Sequence, residues 1–173
     1  MKKIKMKSKR IAWIIIPLIM VGAFLVTAFT LSAPEDDPMP AADAEELWTF
    51  ITEEKPYTEW DHWPGMEGMY EGQSPHGAYL KLYVNEISII ALAHNKEEMP
   101  QSSIIVKENY NKDKKLVAIT PMYKVDGYNP EAGNWFWAKY GTDGKVMASG
   151  KVESCISCHS KKKDDDYLFT LSK

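Results

Sequence analysis

The run NWFWAKYGTDGKVMASGKVESCISCHS, residues 134–160, decides how this chain folds. NWFWAKY (134–140) and KVMASG (145–150) flank Gly141-Thr142-Asp143-Gly144, a four-residue hairpin loop with glycine at both ends. Trp135 and Trp137 alternate with Phe136, so both faces of the first strand are aromatic, as burial on each side requires. Directly after the hairpin comes CISCH, with Cys155 and Cys158 three positions apart and His159 next to the second. A β-hairpin running straight into this motif, with only 14 residues after His159, leaves no room for the helix and strand that would complete a thioredoxin-like unit.

Working towards the N-terminus, the pattern stays β-rich. KLVAITPMYKV (115–125) and SIIVKENY (103–110) read as strands joined by the polar turn NKDK, a second hairpin. Pro121 implies a bulge or an edge position in the later strand. AYLKLYVN (78–85) alternates as a strand. EISIIALAHNKEE (86–98) is read as a helix presenting Ile87, Ile90, Ala91 and His94 on one face. Residues 56–77, rich in Pro, Gly, Trp and Tyr, form a long loop. AADAEELWTFIT (41–52) is a helix with acids in its first turn and Leu47, Phe50 and Ile51 on one side. The expectation is an α+β domain over 41–173, a mainly antiparallel β-sheet of four or five strands with a few helices.

The front of the chain is different. Residues 1–10 carry six positive charges and no acid, and residues 11–33 carry no charge. Twenty-three apolar residues at 1.5 Å each span a bilayer core of about 30 Å. They read as a transmembrane anchor, with a cleaved signal peptide as the alternative. The basic run belongs in the cytoplasm and sends the domain outside, to the periplasmic face of a bacterial inner membrane. The acidic, proline-rich segment PEDDPMP (34–40) then acts as a spacer. Everything after residue 33 holds all 24 acids and 15 of the 21 bases, a net charge of −9 that argues against nucleic acid and suits a basic redox partner protein.

An exported chain with two cysteines must use them, because free thiols rarely persist in an oxidising space. In CxxCH each thiol can form a thioether to a haem vinyl group, and the adjacent histidine reaches the iron. Cys155, Cys158 and His159 therefore read as the attachment site of one covalent haem c per chain, with His159 as metal ligand. A disulfide is the rival reading. A closed zinc site needs four ligands, which the scattered His62, His76 and His94 do not promise. No Met or His follows the motif, so a sixth iron ligand would come from upstream: His76, His62, Met66, Met69 or Met99. Such a ligand would make the protein a plain electron carrier.

The late motif would suit a gas-binding cytochrome c′, but that fold is a four-helix bundle, and residues 78–148 read as strands. The chain resembles instead the cytochrome P-460 and cytochrome c′-beta superfamily. The resemblance is carried by PHGAYLKLYVNE (75–86), SIIVKENY (103–110), MYKVDGYNPEAGNWFWAKYGTDG (122–144) and GKVESCISCHS (150–160). It implies a mainly antiparallel β fold, a c-type haem, often a homodimer, and binding of nitric oxide or oxidation of hydroxylamine at an open iron. One branch also joins a lysine covalently to the haem ring. Lys107, which alternation places with Ile105 and opposite Ile104 and Val106, is the candidate, with Lys81 and Lys124 as rivals. His76 is the candidate distal group, and Glu108 another acid that could serve there. Tyr79, Tyr83, Phe136 and the tryptophans of 134–140 read as core, some of them lining the haem.

Overall fold

The computed structural model describes residues 38–170. The expected membrane span, 11–33, lies outside them; among the described residues no helix is long and apolar enough to cross a membrane. The chain opens with helix α1 (Ala44–Thr49), continued by one wider turn over Phe50–Glu54. Two short strands follow, β1 (Asp61–His62) and β2 (Tyr70–Glu71), then β3 (Tyr79–Val84) and helix α2 (Glu86–Ala93). The sheet continues with β4 (Ile104–Tyr110), β5 (Leu116–Lys124), β6 (Trp135–Tyr140) and β7 (Val146–Gly150). Helix α3 (Glu153–His159) and a tight turn of helix over Ser160–Asp165 complete it.

Every strand pairing is antiparallel, in the order β1-β3-β4-β5-β6-β7, with β2 also on β3. The α+β class and both hairpins are as read from the sequence. Period-two alternation gives each long strand two different faces. On one face Ile104, Val106, Tyr123, Phe136 and Tyr140 pack against Leu47, Phe50 and Ile51 of the first helix. Asp43 caps that helix, its carboxylate accepting from Glu45 N and Glu46 N at 2.8 and 3.1 Å. On the other face Leu82, Ile105, Met122, Trp135 and Trp137 pack against Tyr167 and Leu168 from the C-terminal segment. Both faces are covered, which is why β4, β5 and β6 read as nearly continuous apolar runs.

Four local expectations are corrected. Helix α2 buries Ser88 and Ala91, while Ile90 is 51% exposed and His94 faces solvent. The cap decides this: Asn85 Oδ1 accepts from Ser88 N, Ser88 Oγ and the strand amide of Ile104, turning Ser88 inward. The helix also stops at Ala93, short of 98, because Asn95 turns left-handed (φ 51°) and Lys96 N–H donates back to Ala91 O. Pro121 sits in an interior strand, opposite Val106 of β4. Its missing N–H is tolerated because the pairing of β5 with β6 passes from Ile119–Tyr140 to Met122–Trp137 with no bridged pair between. The 56–77 loop is less irregular than its composition suggested, since it contributes β1, β2 and a helical turn at Tyr57–Glu59.

Candidate functional site

A cavity of about 380 Å³ opens on the Trp135/Trp137 face of the sheet. Leu82, Ile105, Met122, Trp137 and Leu168 supply apolar walls. Into the same space come Cys155, Cys158 and His159 from α3, Lys107 from β4, and His76 from the loop before β3. All five residues singled out in the sequence therefore meet at one cavity, although they arise from three separate parts of the chain.

Helix α3 explains the motif's spacing. Residues three and four apart share a helix face, so Cys155, Cys158 and His159 point the same way. The two thiols are not joined in a disulfide. Burial pushes the Cys155 thiol above its ordinary pKa. Among the described residues no cluster of three or more His, Cys, Asp or Glu side chains could by itself hold a metal ion, so a protein-only zinc site finds no ligand set.

His159 is 7% exposed, and its Nδ1–H donates to Tyr167 O at 2.7 Å. A carbonyl can only accept, so the proton is on Nδ1 and Nε2 carries a bare lone pair. Trp137 packs edge-on against this ring with centroids 4.7 Å apart, and Phe169 does so at 5.2 Å. Burial, with the Lys107 charge as a smaller cause, lowers the His159 pKa and keeps the ring neutral.

The acceptor on His159 is itself held firmly. Asp166 and Tyr167 both adopt left-handed backbone (φ 52° and 64°). Lys124 Nζ pairs with Asp166 Oδ1 at 2.6 Å, Met99 N–H donates to Asp166 Oδ2, and Trp135 Nε1–H donates to Asp166 O. Tyr167 Oη donates to Glu131 O. These contacts fix the carbonyl that orients the imidazole.

His76 repeats the pattern from another wall. Its Nδ1 lies 3.0 Å from Asn109 Oδ1. Asn109 Nδ2 donates to Lys107 O, Ala118 O and Thr120 Oγ1, so the amide's orientation is fixed and the atom facing His76 is its oxygen. His76 must then donate from Nδ1, leaving Nε2 bare. Burial first, and the Lys107 charge second, push its pKa down to about 4. Lys107 is itself pushed down to about 8 by burial.

The remaining sequence candidates lie elsewhere. His62 spends Nδ1 on Leu82 O and packs on Tyr83; Met99 is buried in the apolar layer; Met66 and Met69 do not line the cavity. Lys81 lies over the Tyr110 ring and Lys124 is paired with Asp166, so neither rivals Lys107. Glu108 faces away from the cavity, where it accepts hydrogen bonds from Tyr57, Tyr83 and Tyr110. Of the aromatic candidates Trp137 lines the cavity; Tyr79, Tyr83, Trp135 and Phe136 do not. Sequence reading missed Asn109, Thr120 and Tyr167. Asn109 was within reach, because it sits two residues from Lys107 on the same face of β4.

The cavity fits a flat apolar group with a metal at its centre. It offers two thiols, imidazole nitrogens with free lone pairs, and the buried Trp137 indole N–H, which has no acceptor among the described residues although Trp137 lines the wall. A family model described as Cytochrome P460 matches residues 55–170, a stretch that contains every one of these residues. No curated protein matches the chain. The chain belongs to the cytochrome P460 family, and membership implies a covalently bound haem.

Proposed function

We propose that this member of the cytochrome P460 family carries one haem c, attached through Cys155 and Cys158 with His159 as the proximal iron ligand. It binds or oxidises small nitrogen compounds such as nitric oxide or hydroxylamine. The observation that carries the reading is the convergence of Cys155, Cys158, His159, Lys107 and His76 on one apolar cavity. The haem supplies an iron that takes up small ligands and exchanges electrons.

The chain's own residues supply the rest. His159 presents a bare Nε2 whose direction is set by the Nδ1–H bond to Tyr167 O. That bond also raises the imidazole's basicity. Trp137, Leu82 and Met122 keep water from the reacting centre, and the Trp137 N–H offers a donor to a haem carboxylate or to a bound ligand. His76 holds a lone pair that can take a proton from hydroxylamine. Lys107, with its amine partly uncharged near neutral pH, is the lysine placed for a further bond to the haem ring.

We place the domain on the outer face of a bacterial inner membrane, anchored by residues 11–33. Homodimer formation and a basic redox partner remain parts of the same reading. The apolar run and its basic flank support the location; the −9 charge of the remainder supports the partner.

The test is residues 34–173 expressed in a periplasm that attaches haem. Haem should stay on the chain in a denaturing gel, and be lost when Cys155 and Cys158 are both changed to Ala. Nitric oxide should then shift the ferrous spectrum, and hydroxylamine should reduce the ferric protein. Mass spectrometry of the haem peptide reads whether Lys107 is joined to it. A chain that emerges without haem would sink the proposal.

A further inference from the structure

We propose that Tyr57, Tyr83, Tyr110 and Glu108 form a second redox site, an outlet for oxidising equivalents in which a phenol gives up an electron and Glu108 takes its proton. The cluster lies on the face of the sheet opposite the cavity and plays no part in the function proposed above. It rests on the haem reading only for where the oxidant arises, and goes beyond it.

Three observations carry it. First, three phenols converge on one buried carboxylate. Tyr57 Oη donates to Glu108 Oε1 at 3.0 Å, and Tyr83 Oη and Tyr110 Oη donate to Oε2 at 3.3 and 2.6 Å. The contact from Tyr110 is as short as a charge-assisted O–H···O⁻ bond. A phenol that loses an electron becomes a strong acid and must shed its proton. A carboxylate already accepting that hydrogen bond can take it in place. Second, among the described residues the partners of Glu108 are phenols rather than a cation. Lys81 stands opposite it in β3, but its Nζ lies over the Tyr110 ring, 5.8 Å from the centroid. Third, the phenols lead from the interior to the surface. Tyr57 and Tyr83 are buried with ring centroids 5.3 Å apart, and Tyr110, which shares Oε2 with Tyr83, is half-buried. The inner end lies one residue from the cavity wall. Leu82 and Lys107 line the cavity, and Tyr83 and Glu108 follow them on the reverse side of the sheet.

The oxidant is a peroxide that reacts at the cavity. Each peroxide takes two electrons and two protons and leaves as two waters. The cluster supplies the electrons one at a time: a tyrosine O–H bond breaks, the electron crosses the sheet, the proton passes to Glu108 and a phenoxyl radical remains. A soluble thiol then returns one electron at Tyr110, and Glu108 gives the proton back to the phenol. Two thiols become one disulfide per peroxide, and the two protons they release replace the two that enter water.

The measurement is electron paramagnetic resonance of the full haem-loaded chain, frozen after mixing with hydrogen peroxide. A parallel sample is oxidised by photogenerated ruthenium(III) tris-bipyridine, which needs no haem. Both should show a tyrosyl radical. The variant carrying Tyr57→Phe, Tyr83→Phe and Tyr110→Phe together should lose most of that signal, and its haem absorbance should bleach faster in peroxide. Tyr110→Phe alone keeps the two buried rings in place and should slow re-reduction of the radical by thiol. Glu108→Gln keeps an acceptor oxygen but cannot take a proton, so the radical should form more slowly. Tyr128→Phe, a half-buried tyrosine outside the cluster, should behave as wild type. Absence of a tyrosyl signal with either oxidant, or an equal signal in wild type and the triple variant, would overturn the proposal and leave the haem reading intact. A radical under ruthenium but none under peroxide would overturn the outlet from the cavity. A chain without haem would sink the haem reading, and the ruthenium sample would then decide the cluster by itself.

Discussion

Lys124 Nζ lies 2.6 Å from Asp166 Oδ1, both side chains nearly inaccessible to water, directly beside the carbonyl of Tyr167 that receives the His159 Nδ1–H. The pair secures a left-handed turn at residues 166–167 that the chain would otherwise adopt only at a cost. Removing one partner of a buried ion pair strands the other, at about 3–5 kcal/mol. Lys124→Met should therefore cost about 3 kcal/mol in denaturant unfolding, and its ferric spectrum should show a disturbed proximal histidine. Asp166→Asn should cost less, about 1–2 kcal/mol, because Glu98 Oε1 at 3.2 Å remains for Lys124 and an amide oxygen can still accept from Met99 N–H. Equal losses in the two variants would show that Glu98 contributes nothing.

Gly77 fixes where the His76 loop meets β4. A Cβ there would stand 2.4 Å from Tyr110 O and 2.5 Å from Tyr110 N, both backbone atoms that cannot yield cheaply. Gly77→Ala should push the loop away from the strand, at about 1–3 kcal/mol in stability. The Asn109 contact to His76 should loosen with it, and the ferric spectrum of the haem-loaded variant should change. A variant with wild-type stability and spectrum would mean that the loop is not seated on β4 as described.

Asn85 ties α2 to the sheet. Its Oδ1 accepts three buried hydrogen bonds, and its Nδ2 donates to Ser102 O at 2.8 Å in a half-buried setting. Asn85→Ala leaves buried donors on Ser88 and Ile104 unpaired and should cost about 2–4 kcal/mol. Asn85→Asp keeps the acceptors and should recover part of that loss. Amide hydrogen exchange should show α2 opening before the sheet in the alanine variant.

Alkali should unfold this protein through one cluster. Tyr57, Tyr83 and Tyr110 all donate to the buried Glu108 carboxylate, at 3.0, 3.3 and 2.6 Å. Burial, reinforced by that negative charge, raises all three phenols; Tyr83 reaches about 12. A group raised in the folded state keeps its proton when the unfolded chain has lost it. Stability is thus fully present below pH 10 and falls as pH rises through the folded values. The unfolding midpoint should hold steady up to pH 10 and drop steeply above it, tracking tyrosinate absorbance. Glu108→Gln removes the charge and should let tyrosinate appear at lower pH. A flat stability profile through pH 12 would contradict the cluster.

Much of the site could be read without coordinates because its signals are local. Strand alternation alone placed Lys107 with Ile105 on one face, and the structure puts both on the cavity wall. The three-residue spacing of Cys155 and Cys158, with His159 beside it, needs only a helical turn to become one reactive face. The α2 face failed for an equally local reason that pattern does not reveal. Apolar periodicity favoured Ile87 and Ile90, but a capping asparagine with three donors outweighs one exposed isoleucine. Glu108 looked like a possible distal acid because alternation says which residues share a face but not which face meets the cofactor.

The sequence by itself determined the five longer strands, the hairpins and the CISCH turn, since each depends on neighbours within a few residues and on side-chain period. Only the tertiary structure decided that His76 faces His159, that Lys124 underpins Tyr167, and that three tyrosines share one carboxylate. Those pairings join distant segments, and they exist because hydrophobic packing of a helix and a C-terminal turn on opposite faces of one sheet brings them within hydrogen-bond reach. No local pattern encodes such distances; burial creates them, and buried polar groups must then find one another.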